Sequence, residues 1–256
     1  MTTWLALVVG NSRSHWALFN GSTWQTTWHT APLPPEQIQS LTVETLASLL
    51  PDGVANEPTE IWWTSTVPEQ SAQWRQVAIA REIIAEKMPV KGLYPTLGID
   101  RMLNILGAGS TYRWPVLVVD AGTALTFTGG VRQHFAGGAI LPGLQLQLRS
   151  LSQGTGTLPE VALPGHLPLR WATDTPAAIQ SGILYTVLSG IQAYMADWWQ
   201  HAPNSTVVFT GGDGERLYQM MAELFKQETP DLVESGVRFD ENLVFWGIRA
   251  YRSADT

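Results

Sequence analysis

The sequence predicts a duplicated α/β fold, in which two similar halves flank a cleft. Two segments, Leu5–Phe19 and Val116–Thr128, share one pattern: an apolar run, a glycine followed within two residues by a hydroxyl side chain, and a second apolar run. Each segment is followed by further strand and helix patterns, so strands precede helices in two successive rounds. We therefore predict a first half at residues 1–114 and a second half at residues 115–256, with the cleft between them.

The first half is predicted to begin with strands, because short apolar runs there are separated by turn residues. Longer helical patterns follow, and Pro89 is expected to end one of them. Residues 102–106 include apolar side chains at the spacing of a helix core face. The predicted elements are strands at 4–9, 15–20, 23–28 and 61–66, and helices at 36–50, 69–88 and 99–112.

The second half starts after Pro115 and repeats the order of strands and then helices. Gly137–Gly143 is rich in small residues and predicts a loop, which could admit a substrate closely or simply form a turn. Leu184, Leu188 and Ile191 mark one face of a long helix. The predicted elements are strands at 116–119, 124–129 and 207–210, and helices at 144–152, 174–200, 214–227 and 241–252.

The composition is that of a globular protein with few charges: 45% of the 256 residues are hydrophobic and 14% are charged. The net charge of −7 argues against nonspecific binding to nucleic acid or to anionic membranes. The lack of cysteine excludes disulfides, cysteine-ligated zinc and thiol catalysis. No segment reaches the roughly 18 apolar residues of a membrane span, and the amino terminus lacks the basic region of a secretion signal. These features predict a cytoplasmic protein without nucleic-acid or membrane partners.

Histidine and tryptophan give weaker signals. The five histidines show no metal-ligand spacing, and we interpret them as incidental. The twelve tryptophans are scattered along the chain, which favours core packing or a subunit contact over a stacking surface for nucleic acid.

Both glycine turns have residues suited to binding phosphate. A glycine lets backbone N–H groups converge on one point, and the hydroxyl groups of Ser12 and Thr123 add donors. When Gly10 is aligned with Gly122, Val8 falls opposite Asp120. The second copy therefore carries a carboxylate that the first copy lacks.

Two carboxylates occupy positions where chemistry is often found. Asp100 and Arg101 stand at the start of a predicted helix, where the helix dipole favours anions. The alternative is that Asp100 caps the helix and Arg101 is a solvated charge. Asp120 ends a buried strand, where a carboxylate is costly unless it meets a cation or hydrogen-bond donors. Here the alternative is an ordinary turn residue.

Two further turns carry weaker signals. Asp174, Thr175 and Pro176 are typical of a helix start, so capping is the favoured interpretation. Gly211 and Gly212 follow an apolar strand and could let a nucleotide approach the backbone. The same pair is also common in plain turns between a strand and a helix.

Taken together and in this order, six motifs resemble those of the type III pantothenate kinases. They are GNS at 10–12, GIDR at 98–101, DAGTALTF at 120–127, GGAILPGL at 137–144, DTPAAIQSGI at 174–183 and FTGGDG at 209–214. The resemblance extends from about residue 4 to about residue 251. It implies the acetate and sugar kinase/actin-like fold, with two ribonuclease-H-like halves around an ATP cleft. It also implies a homodimer that uses ATP with Mg²⁺ to phosphorylate pantothenate to 4'-phosphopantothenate, the first step of coenzyme A biosynthesis.

The resemblance also implies roles for individual residues. Asp100 would be the general base for the pantothenate hydroxyl, and Asp120 would bind an activating monovalent cation, K⁺ or NH₄⁺. The residues implied to hold pantothenate are Tyr94, Gly98, Ile99, Arg101 and, from the partner subunit, Thr175. The residues implied to contact ATP are Gly10, Asn11, Ser12, Gly122 and Thr123 at the phosphates, and Gly211 and Gly212 on the adenosine side.

The chain departs from the family pattern at residue 8. The family has DxGNT where this chain has a valine at 8 and GNS at 10–12, so a carboxylate expected to organise Mg²⁺ and the phosphates is missing. Because phosphoryl transfer depends on positioning and charge neutralisation, we expect weaker ATP binding rather than no activity.

Two alternatives to a pantothenate kinase remain. One is a non-catalytic, nucleotide-binding regulatory relative, and the other is a kinase for another small hydroxyl substrate. Retention of Asp100, Arg101 and Asp120 argues against the first. The GIDR and DTP motifs argue against the second, because a substrate that carries a carboxylate needs an arginine near the base.

Overall fold

The computed structural model describes residues 2–54, 56–228 and 236–255. These residues form two compact units. The first contains the residues up to Pro89, Tyr94–Gly107 and the residues from Val244 onward, and the second contains Val90–Leu93 and Ala108–Leu243. The halves predicted at 1–114 and 115–256 divide the chain by the repeat in its sequence pattern. This division stays a prediction.

The first unit is built on a mixed sheet of five strands. They are β1 (Thr3–Val9), β2 (Ser14–Asn20), β3 (Thr23–Thr30), β4 (Ile61–Ser65) and β5 (Ala80–Glu82). The order across the sheet is β3-β2-β1-β4-β5. The first three strands are antiparallel neighbours, and β4 and β5 extend the other side in parallel. One face buries an apolar core that includes Leu7, Trp16, Trp63 and Trp74.

The helices of the first unit come from both ends of the chain. They are α1 (Pro35–Gln39), α2 (Pro68–Trp74), α3 (Ile99–Tyr112) up to Gly107, and α7 (Leu243–Asp255) from Val244. In α7, Trp246 packs edge-on against Phe19 and Tyr251 packs edge-on against Trp62, each with ring centroids 6.0 Å apart. The hydroxyl of Tyr251 also accepts a hydrogen bond from the N–H of Ile84 at 3.1 Å. The carboxyl-terminal helix is therefore part of the first unit's structure.

The prediction of one helix at 36–50 is wrong, because the helix α1 ends at Gln39. Residues Val43–Leu49 form a separate 3-10 helix. The N–H of Thr42 donates to Thr45 Oγ1 at 2.8 Å, which closes a capping box and starts this new turn.

The prediction of a helix at 69–88 is wrong beyond Trp74. There the chain forms β5 and then a 3-10 helix at Ala85–Lys87. The N–H of Ile61 donates to the carbonyl of Ile79, and the N–H of Ile83 donates to the carbonyl of Trp63, both at 2.9 Å. Pairing with β4 thus outweighs the local helical pattern, because it satisfies backbone groups of a buried sheet.

The second unit repeats this sheet. Its strands are β6 (Val116–Ala121), β7 (Ala124–Val131), β8 (His134–Pro142), β9 (Thr206–Thr210) and β10 (Val237–Phe239). Read from β8, the order is β8-β7-β6-β9-β10, again three antiparallel neighbours followed by two parallel strands. The helices are α4 (Leu144–Gly154), α5 (Thr175–His201) and α6 (Gly214–Glu228). Leu184, Leu188 and Ile191 of α5 are buried against the sheet core, as predicted.

The loop predicted at 137–143 is wrong, because most of it lies in β8. The strand β8 pairs with β7 along its full length, and Ala139 is the partner of Phe127 and Pro142 the partner of Ala124. Glycine has low strand propensity, so the composition of this segment hides the strand. The short strands β5 and β10 are missed for a related reason, since three residues give no periodicity.

The predicted fold class is confirmed: the chain is α/β, and its two sheets are consistent with duplicated ribonuclease-H-like halves. The remaining predicted strands and helices are found within a few residues of their predicted bounds. In the part of the chain that the structure describes, no helix is both long and apolar enough to span a bilayer.

Candidate functional site

Asp100 lies in the first turn of α3, one residue after the helix begins at Ile99. Its Oδ1 atom is buried and accepts no hydrogen bond from the described residues. Burial raises the pKa of this carboxyl above its ordinary value. A capping oxygen accepts a backbone N–H, and the buried Oδ1 of Asp100 accepts none, so the capping alternative does not account for this atom. The geometry is that of a proton acceptor that is kept out of water.

Arg101 is buried, with 7% of its surface exposed, so the alternative of a solvated charge is wrong. Its guanidinium donates a hydrogen bond to the hydroxyl of Tyr94 at 3.1 Å. Gly98, just before α3, is exposed, and a Cβ there would meet no atom within 4 Å. The structure thus brings Tyr94 and Arg101 together and leaves open space at Gly98. Ile99 is half-buried at the helix start.

The first glycine turn joins β1 to β2. The N–H of Gly10 donates to the carbonyl of Arg13 at 3.0 Å, which leaves Asn11 and Ser12 exposed at the tip. A Cβ on Gly10 would lie 3.0 Å from that carbonyl oxygen, so the close approach of the backbone favours glycine. The tip therefore offers polar groups to solvent from a tightly held turn.

The second glycine turn follows Asp120, which lies near the end of β6. In the sheet register Asp120 is the partner of Thr126 on β7 and of Thr210 on β9. The N–H of Gly143 donates to the carbonyl of Thr123 at 2.9 Å, and a Cβ on Gly143 would collide with the carbonyl of Gly122. The small residue at 143 is thus needed for packing directly on this turn.

Gly211 is packed against the same carboxylate. Its φ is +87°, and a Cβ there would collide with Asp120 Oδ1 and lie 2.7 Å from the backbone of Ala121. The N–H of Asp213 donates to the carbonyl of Ala121 at 2.9 Å, which fixes the turn against β6. Gly212, in contrast, has open space around it. The structure therefore brings together Asp120, the turn after it and the predicted adenosine-side glycines.

Thr175 is the first residue of α5 and lines a cavity of about 620 Å³ in the second unit. Asp174 caps this helix, as predicted: its Oδ1 accepts a hydrogen bond from the N–H of Ala177 at 2.9 Å. The cavity is lined mainly by apolar side chains, including Leu151, Leu158, Ala172, Ile179 and Ile183.

Several large apolar side chains of the second unit are exposed. Trp171 is 88% exposed and Leu169 is 81% exposed, both in the segment that precedes α5. The two residues are two positions apart in the chain, and contiguous exposed apolar patches are typical of interaction surfaces. Core packing, one of the two sequence interpretations of the tryptophans, does not apply to Trp171.

Two of the five histidines are in contact, which their spacing in the sequence does not indicate. His15 is the register partner of His29, and their rings are in contact, with centroids 4.5 Å apart. Burial, followed by the nearby His29 and Arg13, lowers the pKa of His15. Their spacing in sequence gives no signal; only the hairpin formed by β2 and β3 could have revealed the pair. Among the described residues, no group of three or more His, Cys, Asp or Glu side chains is placed to hold a metal ion.

Comparisons with known proteins agree on one family. Residues 4–197 match the family model described as type III pantothenate kinase. A type III pantothenate kinase from Nostoc sp. is 41% identical over 263 residues, which cover 96% of this chain and 93% of that protein. Another from Synechocystis sp. is 41% identical over 255 residues, which cover 98% and 91%.

Solved structures show a similar fold at low sequence identity. A protein from Campylobacter jejuni, described as a Baf family transcriptional activator, aligns with a TM-score of 0.61 and 20% identity over 98% of both chains. Component A of (R)-2-hydroxyglutaryl-CoA dehydratase from Acidaminococcus fermentans aligns with a TM-score of 0.53 and 12% identity over 100% of both chains. At these identities the likeness supports the fold alone.

Proposed function

The chain belongs to the type III pantothenate kinase family, and from this premise we propose that it transfers a phosphoryl group from ATP to pantothenate. The product is 4'-phosphopantothenate, in the first step of coenzyme A biosynthesis. The observation that carries this proposal for the chain itself is the buried, unpaired Oδ1 of Asp100 beside an arginine that a tyrosine holds in place.

Asp100 is the general base of the proposed reaction. It accepts the proton of the primary hydroxyl as the hydroxyl oxygen attacks the terminal phosphorus, whose bond to the bridging oxygen breaks and releases ADP. A base works best when its pKa approaches the working pH, and burial shifts the pKa of Asp100 in that direction. Because Oδ1 has no other hydrogen bond among the described residues, it is available to the substrate.

Arg101 binds the carboxylate of pantothenate. A guanidinium matches a carboxylate with two parallel hydrogen bonds, and Tyr94 restricts its orientation. Gly98 and Ile99 line the same end of α3, where the open space at Gly98 leaves room for a substrate. These four residues together with Asp100 form the proposed pantothenate site.

The glycine turns hold the nucleotide. Gly10, Asn11, Ser12, Gly122 and Thr123 contact the phosphates, and Gly211 and Gly212 lie on the adenosine side. The close packing of Gly211 on Asp120 and Ala121 supports this, since it forms a cradle that a side chain would fill. ATP brings the phosphoryl group, and its Mg²⁺ neutralises charge during transfer.

Asp120 binds a monovalent cation, K⁺ or NH₄⁺. Its carboxylate lies at the end of a strand, where the backbone carbonyl oxygen of Ala121 is nearby in the chain, and hard cations prefer oxygen ligands. We infer that the cation balances phosphate charge in the region of the second turn.

The active form is a homodimer in the cytoplasm. The exposure of Trp171 and Leu169 next to the cavity that Thr175 lines supports a subunit contact at this surface. In that arrangement Thr175 reaches the pantothenate of the partner subunit. Trp171→Glu should shift sedimentation toward the monomer, while Val43→Glu, at an apolar residue 42% exposed in the first unit, should not. An active monomer of the unchanged protein would refute the dimer.

One assay tests the function directly. Purified protein is supplied with pantothenate and Mg-ATP, with and without K⁺, and both ADP release and the phosphorylated product are measured. Product that requires pantothenate supports the proposal. ATP binding without product would favour a regulatory relative, and product only from another hydroxyl compound would favour a kinase of different specificity.

A further inference from the structure

A row of side chains crosses the first unit's sheet beside the first glycine turn. Val8 on β1 is the register partner of His15 on β2 and of Thr64 on β4, and His15 is the partner of His29 on β3. Register partners in a pleated sheet direct their side chains to the same face. These four side chains therefore form one row on one face of the sheet.

The groups that act electrostatically on His15 are basic: His29 and Arg13. The rings of His15 and His29 meet edge to face, with planes at 76°, and His29 is exposed. The guanidinium of Arg13 acts on His15 electrostatically, in the same direction as His29. The row's other two members, Val8 and Thr64, are uncharged. We call Arg13, His15 and His29 the basic patch.

The basic patch adjoins the turn to which we assign the nucleotide phosphates. Val9 pairs with Ser14, and the Gly10 N–H to Arg13 carbonyl bond closes the two-residue tip. Arg13 follows Ser12 directly, and His15 lies three residues after that tip residue. Arg13 and His15 thus follow the tip along β2, and the ring of His29 lies beside that of His15.

We propose that the basic patch binds a phosphate group of the nucleotide, with guanidinium and imidazole N–H groups as hydrogen-bond donors. The inference rests on the proposed function, because it extends the nucleotide site to three more residues. An anion suits this patch better than a metal ion does. Arg13 repels cations, and the apolar Val8 contributes no carboxylate opposite His15.

A phosphate at this patch makes nucleotide affinity depend on pH. Burial, His29 and Arg13 lower the pKa of His15 in the free protein, whereas a bound phosphate favours the charged imidazole. Binding therefore raises the pKa of His15. By linkage, the contribution of His15 to nucleotide affinity increases as the pH falls through the range in which it takes up its proton.

The test uses the full chain with ADP, without Mg²⁺ or pantothenate, so that no transfer occurs. Calorimetry measures the Kd of ADP and of adenosine at about pH 6 and about pH 8, and NMR follows the ring protons of His15 and His29. We expect His15→Gln and Arg13→Gln each to weaken ADP binding about three- to tenfold, with adenosine binding unchanged. The effect of His15→Gln should be larger at the lower pH.

The control is His201→Gln, which removes an exposed imidazole at the end of α5 and should leave both affinities unchanged. His29→Gln, at an exposed residue, repeats the test if the half-buried His15 variant folds poorly. In NMR, ADP but not adenosine should raise the pKa of His15. The proposal is overturned if ADP does not bind, or if it binds without moving either histidine and equally well to the variants. If ADP affinity depends on His15 but the protein does not phosphorylate pantothenate, the proposed function is wrong and this inference is supported.

Discussion

The guanidinium of Arg101 donates a hydrogen bond to the hydroxyl of Tyr94 across 3.1 Å, and the two residues differ sharply in exposure. Arg101 is 7% exposed, whereas Tyr94 is 39% exposed. A buried cation is thus oriented by a side chain that solutes can reach. This pair links the loop before α3 to the helix that we propose binds the substrate.

Tyr94→Phe should raise the KM for pantothenate about fivefold and change kcat much less. The variant removes one hydrogen bond to Arg101, worth about 1 kcal/mol, and leaves the ring in place. Steady-state kinetics with varied pantothenate measure the effect. Tyr194→Phe, at another exposed tyrosine, is the matched control and should behave as wild type. An unchanged KM in the Tyr94 variant would remove this residue from the substrate site.

Asp100→Asn should lower kcat by about 10²- to 10⁴-fold, the usual contribution of a general base. In the unchanged enzyme the base is active only when deprotonated. Since burial raises the pKa of Asp100, activity should fall as the pH drops through a value above the ordinary 3.8. Asp197→Asn, at an exposed carboxylate, controls for the loss of one charge. Near-normal turnover in the Asp100 variant contradicts the assignment.

The same substitution should stabilise the fold at neutral pH. The pKa of Asp100 is higher in the folded than in the unfolded state, so the folded state binds more protons between the two values. Stability is then fully present below the unfolded pKa and is lost as the pH rises through the folded one. A neutral amide avoids this loss, so thermal unfolding of the variant should move upward at neutral pH and not in strong acid. A lower melting temperature at neutral pH would contradict the prediction.

Gly211 and Gly212 should respond differently to alanine. At Gly211 a Cβ meets Asp120 and Ala121 and φ is positive, so Gly211→Ala should cost more than about 1 kcal/mol. For a chain of this size, that lowers the melting temperature by about 2–4 °C or more. A Cβ at Gly212 meets open space, so Gly212→Ala should leave the melting temperature unchanged. If the adenosine lies against these glycines, Gly212→Ala nonetheless raises the KM for ATP; an unaltered KM argues against that contact.

Asp120→Asn should abolish most of the stimulation by K⁺. The substitution keeps an oxygen ligand and removes the charge that attracts the cation. Initial rates are measured against K⁺ and against Na⁺ at constant ionic strength, with Asp197→Asn as the control. An unchanged enzyme that is indifferent to K⁺, or a variant with the full K⁺ response, rules out the cation site.

The sequence predicts those parts of the fold that depend on local pattern. The strands of both glycine-turn segments and the long helix α5 have apolar residues at regular spacing, and they are found where expected. The errors occur where non-local pairing decides the structure. Residues 80–82 become a strand only because β4 offers an edge, and the glycine-rich β8 becomes one only because β7 runs beside it.

The candidate site divides in the same way. The identities of Asp100, Arg101 and the glycines are visible in the motifs, but the motifs do not reveal that Tyr94 binds Arg101 or that Gly211 packs on Asp120. Such contacts join residues that are distant in sequence, or that meet only through a particular turn. The contact between His15 and His29 likewise depends on the register of β2 and β3, and the spacing of histidines in the sequence does not indicate that register.

The helix α7 packs on strands near the start of the sequence. The first unit is therefore begun first in synthesis but completed only after the second unit. All residues of the second unit leave the ribosome before Trp246 and Tyr251, which cover Phe19 and Trp62. Part of the aromatic surface of the first unit therefore stays uncovered until α7 has been translated. A released chain truncated after Leu243 should therefore hold a protease-resistant second unit and a protease-sensitive first one.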